Sequence, residues 1–235
     1  MKKPYITCHM TMSLDGKVAG DFLNHPISHT LSEEYYRIHR NFNSQGFICG
    51  RVTMEGSFTG GYQVDLRKYQ NINIDRKDYI VRKADFYAVA FDPSGKLGWQ
   101  DCIIHDEDSG YDNSYIIEVL TENVSDAYLA YLQEIGISYI FAGKQQIDVN
   151  VALDKLATYF DIKHILLEGG GIINGTFLKA DVINELSIIL VPLTDCSNHS
   201  RSLFEGNDIP IKDFLLKASH PLTCGGLYLE YIKNK

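Results

Sequence analysis

Short apolar runs recur along the chain at Tyr5 to Met12, Phe47 to Cys49, Phe86 to Phe91, Tyr115 to Leu120, Ser138 to Ala142, His164 to Leu167, Leu186 to Val191 and Leu227 to Ile232. Each reads as a strand, and amphipathic helical patterns separate many of them. This alternation predicts an α/β chain with a mainly parallel sheet covered on both faces. Leu31, Tyr35, Ile38 and Phe42 mark one helical face, with Thr30 and Glu33 as a capping box in front of it. Ser125 is expected to cap a helix burying Tyr128, Leu132 and Ile135 before Gly136 ends it, and Asp148 one burying Val149, Leu153, Leu156 and Phe160. The last two strands are joined by a long connection through Pro192, Pro210 and Pro221, without a clear helix, so an antiparallel C-terminal edge is expected. No linker divides the chain. The turn-rich stretch from Gly56 to Asp78 reads as an irregular excursion from a single domain spanning residues 1–235.

Composition narrows the partners. Thirty acidic against 22 basic residues give a net charge of -8, which argues against nucleic acid or an anionic membrane and favours a small-molecule ligand. The five cysteines are odd in number and widely spaced, with no CxxC pair, and read as reduced thiols. Met1-Lys-Lys-Pro-Tyr leads directly into a strand-like run without a secretory signal. No apolar segment approaches the roughly 20 residues that span a bilayer. A cytoplasmic protein is expected.

Three junctions carry the chemical signal. In His164-Ile-Leu-Leu-Glu-Gly-Gly-Gly-Ile-Ile-Asn-Gly a buried strand runs into Gly169, Gly170 and Gly171 and then a helix, a junction that offers free amides and a dipole to a phosphate. Gly169, Gly171 and Gly175 also spell GxGxxxG, but too few residues follow for the rest of a doubly wound nucleotide domain. A tight turn without a ligand is the alternative. Gly46-Phe-Ile-Cys-Gly-Arg-Val-Thr-Met-Glu repeats the arrangement, with Arg51 and Thr53 beside the helix start; the alternatives are Thr53 as a cap and Arg51 paired with a surface carboxylate. Asp15-Gly16 reads as a two-residue turn after the first strand, where ligands of parallel sheets collect, or as a simple hairpin. His25 and His29 are four apart, but Pro26 between them disfavours a helical metal pair, and the eight histidines read as surface or capping residues.

Together these residues resemble the dihydrofolate-reductase-like superfamily, and within it the C-terminal reductase domain of the bifunctional deaminase-reductase of riboflavin biosynthesis. The resemblance is carried by Ser13-Leu-Asp-Gly-Lys-Val-Ala, Gly50-Arg-Val-Thr-Met-Glu, Phe91-Asp-Pro-Ser-Gly-Lys-Leu, Leu167-Glu-Gly-Gly-Gly, and Asn184-Glu-Leu with Pro192. It implies a three-layer αβα fold, a mostly parallel sheet with antiparallel C-terminal strands, and a homodimer. It implies that Gly50, Arg51 and Thr53 hold the pyrophosphate side of a nicotinamide dinucleotide, that Gly169, Gly170, Gly171 and the amide of Ile172 lie under the same cofactor, and that the segment from Thr11 to Ala19 borders the nicotinamide. Asp15 and Glu168 are placed near the substrate as candidate proton donors or relays.

The reaction so implied is hydride transfer to a C=N or C=O carbon, in riboflavin-type reductases the opened ribose of a phosphorylated pyrimidine ribosylamine. NADPH is the implied cofactor. Thr121 stands where the superfamily places a Ser or Thr before an Arg that holds the extra phosphate, but the next residue is Glu122, which favours the free ribose hydroxyls of NADH. The substrate segment of these reductases is replaced by Ser57-Phe-Thr-Gly-Gly-Tyr-Gln-Val-Asp-Leu-Arg. This keeps open a related reductase of another pterin, pyrimidine or carbonyl compound, and a non-catalytic dinucleotide-binding protein. No His-x-Glu followed by Pro-Cys-x-x-Cys occurs, so no zinc deaminase domain is expected, and a phosphate-loop motif is absent.

Overall fold

The computed structural model describes residues 3–234 and divides them into two compact units. The first comprises Ser44–Lys163 with the residues just before the first strand. Its strands β2 (Gly46–Gly50), β3 (Tyr87–Phe91), β4 (Tyr115–Leu120) and β5 (Ser138–Phe141) are all parallel, in the order β5-β4-β3-β2. They are buried along their length except at Gly50, which explains why they read as continuous apolar runs. Helices α2 (Arg51–Met54), α3 (Asp126–Glu134) and α4 (Val149–Phe160) connect or cover them. Ser125 caps α3 through Tyr128 N, and Asp148 caps α4 through Asn150 N and Val151 N. The turn-rich stretch holds a turn of π-helix at Glu55–Thr59 and a short helix at Leu66–Tyr69 that packs on α3. Arg76 fixes its far end, donating to the carbonyls of Ile74, Glu122 and Val124 and pairing with Asp126.

One buried carboxyl stands out in this unit. Glu118 on β4 is fully buried; Trp99 Nε1 and Tyr128 Oη donate to its Oε1, while Oε2 has no hydrogen-bond partner. Burial first, and the nearby Asp92 carboxylate second, hold its pKa well above the usual carboxylate range. Asp92 is itself buried but accepts the amides of Ser94, Lys96 and Leu97, which cradle its charge.

The second unit comprises Tyr5–Asn43 and His164–Lys235. Parallel strands β6 (His164–Leu167), β1 (Tyr5–Ser13) and β7 (Glu185–Val191) are continued by antiparallel β9 (Leu227–Lys233) and β8 (Phe214–Pro221), in the order β6-β1-β7-β9-β8. The antiparallel C-terminal edge is as expected. β8 escaped the sequence because its residues are exposed or half-buried on both faces, so no alternation marks it. Helix α1 (Pro26–Asn41) starts earlier than the Thr30–Glu33 box: His25 accepts Ile27 N and Pro26 occupies the first turn, while Thr30 donates to Pro26 O inside the helix. Its apolar face is as expected, with Leu31 and Ile38 packed on Ile189 and Val191 and with Tyr35 and Phe42 at the margin.

The histidines depart from expectation. His25 caps, but His9 and His39 are buried. His9 lies on β1 with its ring stacked on Tyr35 at 4.2 Å; its Nε2 lies 3.2 Å from Tyr35 O, and its Nδ1 is 2.9 Å from Ser187 Oγ. The ring thus faces two carbonyls, Tyr35 O at Nε2 and Ser187 O at Nδ1 (3.3 Å), while the Ser187 hydroxyl also donates to Tyr228 Oη at 3.2 Å. Burial lowers the pKa of His9, in keeping with a neutral ring. No helix among the described residues is long and apolar enough to cross a membrane, and the five cysteines form no disulfide.

Candidate active site

In the second unit, the turn after β1 and the glycine cluster after β6 are tied together by one length of chain that the sequence did not reveal. At the turn, Ser13 N donates to Lys17 O and Gly16 N to Ser13 O, but Lys17 then bridges to Ser202, so this is not a simple hairpin. Asp15 is exposed; its Oδ1 accepts from Ser13 Oγ at 2.7 Å and Asp195 N at 3.1 Å, and its Oδ2 from Cys196 N at 2.9 Å. The Ser13 hydroxyl, then the amides of Cys196 and Asp195, lower its pKa to about 2. A carboxylate held so low is ionised at neutral pH. Through these bonds it anchors the chain at residues 195–196.

From there the chain runs along the turn and on to helix α5 (Gly171–Lys179). Val18 N donates to Arg201 O and Leu203 N to Gly16 O; Glu205 N then donates to Gly171 O, and Asn174 Nδ2 to Leu203 O. The approach is close. A Cβ on Gly171 would stand 2.1 Å from Ser202 O, and one on Gly175 2.0 Å from Glu205 O. Gly171 and Gly175 lie one helical turn apart on the side of α5 that meets this strap, so close packing accounts for that part of the GxGxxxG spacing.

The rest of the cluster differs. Gly169, joined to Gly170 by a cis peptide, is buried against Met10, whereas Gly170 is half-buried and Ile172 is 58% exposed. Gly170 is the N-cap of α5 and no side chain caps the helix. The first turn of α5 therefore keeps uncapped amides and the positive end of its dipole.

Immediately before the glycines, Glu168 is buried, and its Oε1 lies 2.7 Å from His39 Nδ1 on α1. The two side chains are 3% and 1% exposed. Cys8 on β1 lies near enough that burial and then the Glu168 charge push its thiol far above its usual pKa. Glu168 was expected near the substrate on resemblance; its pairing with His39 was not foreseen, because 129 residues separate them in the chain. Thr11 and Ala19, expected beside the nicotinamide, are half-buried at the end of β1 and in the turn beyond it.

In the first unit, Gly50 is the N-cap of α2, again without a side-chain cap. Arg51 Nη1 donates to Glu55 Oε2 at 2.6 Å, both side chains being 31% exposed, so the cation is accessible though already partnered. Thr53 is half-buried on the same short helix. Thr121 is buried and donates its hydroxyl to Pro93 O at 2.6 Å, which ties the end of β4 to the loop after β3. Glu122 beside it borders a cavity of about 630 Å³ that also touches Arg76, Lys77 and Lys155. Those cations are paired with Asp126, Asp75 and Asp78, so the cavity is no ready phosphate site.

The mostly parallel sheet with its antiparallel C-terminal strands has the dihydrofolate-reductase-like fold. Residues 111–226 match the family model described as the RibD C-terminal domain, a span that contains Glu168 and the glycine cluster but not Asp15 or Arg51. A pyrimidine reductase-like protein from Corynebacterium diphtheriae aligns over 99% of this chain and 92% of its own, with TM-score 0.68 and 16% identity. RibD of Acinetobacter baumannii aligns with TM-score 0.65 and 18% identity, and here 99% of this chain spans only 58% of the relative. The riboflavin biosynthesis reductase Rib7 of Saccharomyces cerevisiae gives 0.60 and 15%, over 99% of this chain and 90% of its own. The chain resembles the RibD C-terminal domain, and at these identities the likeness to the solved structures is one of fold.

Proposed function

We propose that this chain is an NADPH-dependent reductase of the 5-amino-6-(5-phosphoribosylamino)uracil type, the activity named for the related Thermotoga maritima protein. One observation carries the reading: a buried carboxyl, Glu168, directly precedes the start of a helix that no side chain caps, with Ile172 of its first turn exposed. When bound, NADPH supplies the hydride for the ribosyl C=N or C=O carbon. In the second unit Gly169, Gly170 and Gly171 shape the backbone, and the amides of Gly171 and Ile172 would hold its diphosphate; in the first, Gly50, Arg51, Thr53 and Thr121 are the residues that would contribute to dinucleotide binding. Thr11 and Ala19 border the nicotinamide. Of the two candidate acids, Asp15 is engaged by the Ser13 hydroxyl and two backbone amides, so Glu168, 2.7 Å from the His39 imidazole, is assigned the proton that the reduced carbon's partner atom takes up. The reading places the enzyme in the cytoplasm, where its phosphorylated substrate and cofactor are found.

Purified protein incubated with the phosphorylated pyrimidine ribosylamine should oxidise NADPH, and Glu168→Gln should lose about 100-fold or more in kcat, the usual size of a lost general acid. Oxidation of NADH but not NADPH would reassign the cofactor in line with Glu122. Oxidation of neither, with dinucleotide binding retained by calorimetry, would leave only a binding role.

A homodimer belongs to the same proposal. β8 is the outermost strand of its unit and exposes Leu215 and Leu216, more than half accessible, beside Ile232 of β9. An apolar edge of this kind is a pairing surface. Light scattering should give a dimer that Leu216→Asp converts to a monomer; a monomeric wild type would refute it.

A further inference from the structure

We infer that His39 is a positioning residue for the candidate acid, holding the Glu168 carboxyl in place through Nδ1. This rests on the assignment of Glu168 to the acid role. The two groups meet at 2.7 Å with side chains 1% and 3% exposed, so neither is positioned by solvent. An ionisable pair in such surroundings is maintained only when geometry is good, since each group taken from water otherwise costs several kcal/mol. The geometry here comes from rigid elements. Glu168 follows β6, and His39 sits in the last turn of a 16-residue helix pinned by Leu31 and Ile38 on Ile189 and Val191. A site residue held by a packed helix keeps its orientation within the tolerance catalysis needs.

β1 carries two further titratable groups, Cys8 and His9: burial keeps the thiol protonated, and burial favours the neutral form of His9. His9 is thereby committed to the core. His39, whose Nδ1 is directed at Oε1, is the imidazole that orients the carboxyl. The helical pattern masked it, because a histidine beside Ile38 on a buried face reads as filler until its distant partner is known.

Substitution separates positioning from packing. His39→Leu should lower kcat about 10- to 100-fold, the range seen when a supporting partner of an active group is removed, with little change in KM or in dinucleotide affinity. His39→Asn should recover most of the loss, because its side-chain amide can donate near the position of Nδ1, whereas His39→Gln, whose amide reaches further, should remain impaired. In a Glu168→Gln background, His39→Leu should add nothing, as expected for residues acting as one unit. Full kcat in folded His39→Leu, or an equal loss in both backgrounds, would overturn the inference while leaving the assignment of Glu168 intact. Wild-type kcat in Glu168→Gln would instead sink that assignment. Should His39→Leu fail to fold, Asn and Gln carry the test, and equal activity of the two would overturn the inference.

Discussion

Gly175→Ala is expected to destabilise the protein by about 1–3 kcal/mol, the range for forcing an atom into a closed site, and to lower the melting temperature by several degrees. The added Cβ would lie 2.0 Å from Glu205 O and 2.8 Å from its carbonyl carbon, and both are backbone atoms that no rotamer change can move aside. Relief requires the strap at residues 201–206 to lift from α5, which strains the Glu205 N to Gly171 O bond and the Asn174 to Leu203 contact. Thr176→Ala, at the next and exposed position, is the control. Proteolysis within the strap should accelerate in Gly175→Ala and not in the control. A variant that melts with the wild type would show that the strap does not press on α5.

Glu118→Gln is expected to change how stability depends on pH. In the folded state burial and Asp92 raise the Glu118 pKa above its unfolded value, so folding favours the protonated acid. The stability this group contributes is complete below the unfolded pKa and is lost as pH rises toward the folded one. Over that interval a single proton costs the wild type up to about 1.4 kcal/mol per pH unit. Gln keeps the acceptor for Trp99 and Tyr128 and does not titrate. Urea unfolding from pH 5 upward should show Glu118→Gln gaining on the wild type as pH increases; parallel curves would mean that Glu118 is ionised in the fold.

Where local rules settle structure, the sequence was legible. The buried strands declared themselves as apolar runs, and Ser125 and Asp148 cap their helices as their positions implied. Where a distant partner decides, it was not. Thr30 looked like a cap only because nothing local shows that Pro26 and His25 begin α1. β8 has no buried face to impose alternation. The spacing of Gly171 and Gly175 does not reveal the two carbonyls, Ser202 O and Glu205 O, that they accommodate from a strap some thirty residues on. The sequence could not separate the two acids either: Asp15 and Glu168 look equivalent until hydrogen bonds fix one as an anion and burial pairs the other with His39.

Hydride transfer itself is the most direct test. NADPH deuterated at the transferring position of the nicotinamide should be mixed with the phosphorylated pyrimidine ribosylamine and the product examined by mass spectrometry. Deuterium at the former ribosyl carbon, appearing in step with cofactor oxidation and suppressed in Glu168→Gln, is the predicted result. Product without deuterium, or none with either nicotinamide cofactor, would contradict the proposed function.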